Sequence, residues 1–184
     1  IRTLNKDQSE AIHWRAQLDF AESRERYAEL ILDMHDALIK HDNPELRIIF
    51  SDALLAFERP DRATEQIDRV LAGNANHRAA KFLKERINID IAIRRLEALG
   101  ETSIAGYDFK ANPNHLQALL DESPMDAHVL YMMGLTYFID PDSKDGHSTD
   151  YTNQALMLLP QNNEDRIMLA KSYVVDKNLS AACS

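Results

Sequence analysis

Two stretches of the C-terminal half repeat each other 36 residues apart. Leu120 to Pro124 precedes a run holding Leu130, Met133, Gly134 and Tyr137. Leu156 to Pro160 precedes one holding Arg166, Leu169, Ala170 and Tyr173. Pro124 and Pro160, Met132 and Met168, Tyr137 and Tyr173, and Asp140 and Asp176 fall at the same interval. Self-similarity of this period marks stacked supersecondary units, each too small to bury its apolar face alone. It restricts the architecture more than any other feature, and it leaves the purpose of the stack open.

The repeating unit is helical. Only five Gly and six Pro occur in 184 residues, and 45% of the chain is apolar. Such a composition fits an all-α protein large enough to bury a core, with few tight hairpins and no Gly-rich phosphate loop. Residues 6–41 contain neither Gly nor Pro. Ile12, Ala16 and Phe20, then Tyr27, Ile31, Met34 and Leu38, recur at helical spacing, and the length favours two helices joined near Glu22–Arg24. Asn43-Pro44 ends this segment.

A helix with Leu46, Ile49, Phe50, Ala53, Leu54 and Phe57 inward follows over 45–57. The next begins at Pro60, carries Ala63, Ile67, Val70 and Leu71, and stops near Gly73. Residues 77–99 form another, with Ala79, Leu83, Ile87, Leu96 and Leu99 inward. The alternation of Ile87, Ile89, Ile91 and Ile93 is a strand signal, but the helical flanks outweigh it. Gly100 to Asn112 interrupts the pattern. Asn112-Pro113 reads as an N-cap followed by Pro at the first helical position. Helices follow at about 113–122, 125–139, 148–159 and 163–176. The expected organisation is a helical region over 1–99 with loose repeat character, a linker or irregular loop at 100–112, and repeats over 113–184.

Charge narrows the partner. Residues 1–100 carry 16 Lys/Arg against 18 Asp/Glu, and residues 101–184 carry 5 against 12, within a net charge of −9. An acidic half repels phosphate, so neither nucleic acid nor an anionic membrane is expected. No run reaches transmembrane length. Cys183 is the single cysteine, so no intrachain disulfide forms, which suits a cytoplasmic or a periplasmic setting. The chain begins at Ile1 without Met, so a fragment of a longer protein is expected.

The helix pairs resemble tetratricopeptide repeats, whose first helix reads W-x2-L-G-x2-Y, followed in the second by A-x3-F and a closing Pro. Leu130, Met133, Gly134 and Tyr137 take the four first-helix places, and Arg166, Leu169, Ala170 and Tyr173 take them again. Thr152, Ala155 and Pro160 match the intervening second helix. Phe50, Ser51 and Leu54, followed by Ala63, Ile67 and Val70, match more loosely, and residues 77–112 fit no clean repeat. Small residues at 134 and 170 let the neighbouring helix approach. The C-terminal half also resembles bacterial repeat modules of envelope assembly, including the soluble part of cytochrome c maturation factors.

The resemblance implies a right-handed superhelix of antiparallel helix pairs that binds a protein or peptide without catalysis or cofactor. Its groove would be lined by first helices: His128, Tyr131, Met132, Leu135 and Phe138, with Ile139, then Ile167, Met168 and Lys171, with Val174. The Lys/Asn/Arg clamp that holds a terminal carboxylate in part of the family is absent from these places. An apolar groove suits a hydrophobic or amphipathic helix, with methionine giving adaptable contact. The acidic surroundings favour a basic flank on it. Burial of the almost wholly apolar 127–139 helix is the competing expectation, and self-association is the alternative function.

Other chemistry finds little support. Asp140, Asp142, Asp145 and Asp150 share one loop region, but Lys144 and Asp145 break the calcium-loop register. The seven histidines include no i, i+4 pair, so no zinc site is expected. No nucleophile elbow, P-loop or dinucleotide fingerprint occurs. Cys183 has no organised base in its neighbourhood of sequence. Trp14, at helical spacing from Leu18, is expected in the core.

Overall fold

Asn-Pro and Arg-Pro pairs set the starts of three helices. In the computed structural model, which describes residues 6–19, 24–99, 112–139 and 147–158, eight helices make up most of the described backbone. They are α1 (Lys6–Asp19), α2 (Arg24–Lys40), α3 (Pro44–Ala56), α4 (Pro60–Gly73), α5 (Arg78–Leu99), α6 (Pro113–Glu122), α7 (Ala127–Ile139) and α8 (His147–Leu158). No strand occurs among the described residues. The 6–41 segment contains two helices, and the alternating isoleucines lie within α5, as the helical flanks require. The expected helix over 163–176 and most of the 100–112 break lie outside the described residues.

The caps are chemical. Asn43 is fully buried, and its Oδ1 accepts from the Glu45 and Leu46 amides at 3.0 and 3.3 Å. Pro44 then costs nothing at the first position, where its N–H would be unpaired anyway. The Asn43 amide also donates to the Asp7 carbonyl at 3.3 Å and to Glu10 Oε2 at 3.4 Å, fastening α1 to the start of α3. Asn112 repeats the device at α6, accepting from the Asn114 amide at 2.9 Å. Asp126 caps α7 through the His128 and Val129 amides at 3.2 and 3.3 Å.

The chain divides into two compact units, residues 1–87 and 88–184, and the division falls within α5. In the first unit α3 is central and packs against α1, α2 and α4. Its sequence explains this placement: Leu46, Ile48, Ile49, Phe50, Ala53, Leu54 and Leu55 are all buried, so it is covered on nearly every side. Ala53 and Ala63, both fully buried, keep α3 and α4 close. In the second unit α7 plays the same part between α6 and α8. Buried Thr136 is satisfied by donating to the Met132 carbonyl at 2.9 Å.

One expected inward face, on α1, and one residue of another, on α5, need correction. On α1, Ile12 is 55% exposed and Ala16 is exposed, while Ala11 and Leu18 are buried. The Trp14 ring is part-exposed, edge-on to His13 at 5.8 Å, and lines an open groove between α1 and α2 instead of entering the core. The α1 sequence has apolar residues on several faces, so spacing alone selected the wrong one. On α5 the expected Leu83, Ile87 and Leu96 are buried, and among the described residues Ala79 alone departs, being exposed while Ala80 is buried.

Candidate functional site

Among the described side chains of α7, one line of three keeps exposure, and Tyr137 is part-exposed on another face. Ala127, Val129, Leu130, Met132, Met133, Gly134, Thr136 and Ile139 are buried. His128 is exposed, and Tyr131 and Leu135 are part-exposed. Positions 128, 131 and 135 stand at i, i+3 and i+7, so they form a single stripe along the helix. Most of α7 is therefore core, while His128, Tyr131 and Leu135 retain exposure along one line. Among the expected groove residues, Met132 and Ile139 belong to the buried set, at 4% and 1% exposure. The Phe138 side chain, Ile167, Met168 and Lys171 lie outside the described residues.

Tyr131 and Leu135 make the stripe largely apolar beside the exposed His128, and Tyr131 sits in a weakly hydrated setting. Burial pushes the Tyr131 hydroxyl up to about 12, because the tyrosinate would lose hydration there. The neighbouring seam is closed by aromatic stacking. The Tyr137 and Tyr151 rings lie parallel at 5.7 Å and 4°, joining α7 to α8. Burial and then the adjacent Tyr137 raise the Tyr151 pKa. Asp121 and Glu122 on α6 and Asp150 on α8 are exposed, so both neighbours of α7 present carboxylates to water.

The first unit adds features that sequence reading missed. Asp52 on α3 accepts from Arg15 of α1 at 2.6 Å and from Arg86 of α5 at 2.8 Å. One carboxylate thus ties together alternate helices in the chain order. Arg47 of α3 is buried and held by Asp42 at 2.6 Å and by Gln66 of α4. The Arg47 hydrogen bond is the main cause holding the Asp42 carboxyl below the usual range. No periodicity rule would mark Arg47 as buried; its neighbours at helical spacing, Phe50 and Leu54, are the only sequence signal.

The turns carry the repeat further than the side-chain pattern does. After α4, Asn74 has φ −147° and ψ 93°, and its amide donates to the Val70 carbonyl at 2.9 Å. After α6, Ser123 has φ −146° and ψ 83°, and its amide donates to the Leu119 carbonyl at 3.1 Å. In both turns the residue three further on closes back: His77 N–H to the Asn74 carbonyl at 3.0 Å, and Asp126 N–H to the Ser123 carbonyl at 3.1 Å. Helix α5 is thus entered by the same turn as α7, although residues 77–112 match no repeat in sequence.

Among solved structures, the chain is similar to TTC0263, a thermophilic tetratricopeptide-repeat protein of Thermus thermophilus. The TM-score is 0.66 at 18% identity, covering 95% of this chain and 85% of that one. The fold is that of a tetratricopeptide-repeat protein. A second similar structure is MamA, residues 41 to the end, from Desulfovibrio magneticus. Its TM-score is 0.55 at 19% identity, covering 98% of this chain and 92% of that one. No protein-family model matches the sequence, and no curated protein matches it. The equivalence therefore rests on helix packing and turn geometry. On the resemblance in sequence, α3 and α7 would be first helices, with α4 and α8 as their second helices.

Among the described residues no cluster of three or more His, Cys, Asp or Glu is arranged to hold a metal ion. Asp150 is exposed, and Asp140, Asp142 and Asp145 lie outside the described residues. No described helix is long and apolar enough to cross a membrane.

Proposed function

We propose that this protein is a non-catalytic interaction module that takes a partner helix along α7. The observation that carries the proposal is the 128–131–135 stripe: a first helix buried over most of its surface keeps one apolar seam in reach of solvent. Aromatic and aliphatic side chains at helical spacing are what an amphipathic helix needs as a docking line. Tyr131 offers large contact area with little rotamer entropy to lose. The proposed lining extends to Phe138 on the same helix and to Ile167, Met168 and Lys171 in the following repeat. Met132 would act from beneath, as packing support. The exposed carboxylates of α6 and α8 favour basic residues flanking the partner's apolar face.

Two substitutions test this in pull-downs from the native cell extract. Leu135→Glu and Tyr131→Ala each remove a contact on the seam, and a hot-spot position typically costs about 2 kcal/mol or more, roughly thirtyfold in affinity. The expected outcome is loss of the captured partner with a melting curve that stays cooperative. Retained capture by both variants contradicts the proposal. Variants that simply unfold assign the seam to the core.

A further inference from the structure

A cleft of about 570 Å³ lies between α2 and α4, with α3 as its floor. Its chemistry differs from that of the α7 seam. Leu38, Phe50 and Leu54 are buried and form an apolar bed. On the rim Ile39 is 71% exposed. The opposite wall is α4, where Arg62 and Arg69 are exposed. They stand seven residues apart, about 10 Å along the helix axis. Arg47 adds a third cation, fixed by Asp42 and Gln66. Among the described residues Glu65, which pairs with Arg62 at 3.2 Å, is the one carboxylate lining the cleft. With Asp42 on Arg47 and Glu65 on Arg62, the three arginines keep a small positive excess, in a protein whose net charge is −9.

We infer that the cleft docks an acidic amphipathic helix of a protein partner. Its apolar face covers Phe50, Leu54 and Ile39, and two carboxylates seven residues apart meet Arg62 and Arg69. Charge complementarity selects this occupant. The arginines supply planar, multi-donor partners for carboxylates at the exposed rim of the apolar bed. The walls are helices whose backbone groups are already paired, so no sheet edge is offered to an extended peptide. A second copy of the chain would bring a net charge of −9 against −9, which opposes association away from the cleft itself. The site lies within the first unit and is independent of the α7 seam.

Two stapled helical peptides with the same leucine face provide the probe, one with glutamates seven residues apart beside that face and the other with lysines. Fluorescence anisotropy with the intact chain is expected to show the glutamate peptide binding at least about tenfold more tightly, with the difference shrinking as salt is added. The double variant Arg62→Glu, Arg69→Glu is expected to reverse the preference, with circular-dichroism melts confirming that it stays folded. Ile39→Asp, at an exposed rim position, is expected to weaken the glutamate peptide. Leu135→Glu is expected to leave its binding unchanged. Equal binding of the two peptides, no binding of either, or indifference to the double variant overturns the inference. Light scattering that shows self-association abolished by the double variant also overturns it, by assigning the cleft to a second copy.

Discussion

At the scale of single residues, two side chains carry the account. Tyr131 sits where the apolar seam meets solvent, and burial raises its hydroxyl to about 12. An unfolded tyrosine ionises near about 10. The folded state therefore holds this proton more tightly. The contribution to stability is complete below about pH 10 and is lost as pH rises toward 12. A spectrophotometric titration of tyrosinate should show a late-ionising component that Tyr131→Phe removes. An unchanged titration in the variant would mean that Tyr131 is not held in a poorly hydrated seam. Arg47 is the second case: a buried cation whose partners come from a loop and from another helix. Neither its burial nor the cleft it helps to line was legible in the sequence. Both depend on α2, α3 and α4 meeting in space, and local periodicity does not encode that meeting.

At the scale of elements, helix starts were the most legible feature. Proline at 44, 60 and 113 fixes the first-turn backbone, and the capping asparagines satisfy the amides that the helix leaves unpaired. Faces were legible only where one side is clearly apolar, as on α4 with buried Ala63, Ile67 and Val70. On α1 the apolar residues are spread around the helix, and packing against α3 decided which of them turned inward.

The end of α3 near residue 57 was legible, but the way it closes was not, because it uses an unusual residue for its geometry. Glu58 has φ 62°. Its amide donates to the Leu55 carbonyl at 3.0 Å and that of Arg59 to the Leu54 carbonyl at 2.8 Å, closing a Schellman motif. Glycine is the usual occupant of that left-handed position. Glu58→Gly is therefore expected to stabilise the chain by about 0.5–1 kcal/mol, a few degrees in Tm. A lower Tm in thermal melts would show that the Glu58 side chain makes a contact worth more than the strain.

At the scale of the whole molecule, a 36-residue echo led to an all-α repeat fold that solved structures of tetratricopeptide-repeat proteins share. The echo worked because repeats place small and large residues at fixed helical positions, such as Gly134 and Tyr137. It faded over 77–112 because α5 keeps the repeat's entry turn without the repeat's side chains. The proposed binding seam was legible in part: His128, Tyr131 and Leu135 follow from first-helix register, whereas the burial of Met132 follows only from how α6 and α8 close over α7.

The central claim is that this seam is where a partner binds. Photo-crosslinking in the native cell extract tests it most directly, with the reactive side chain placed at position 128, at 135, or at the exposed Gln154 of α8. One common crosslinked species is expected from 128 and 135, and none from 154. No crosslink from either seam position, or equal yield from all three, would contradict it.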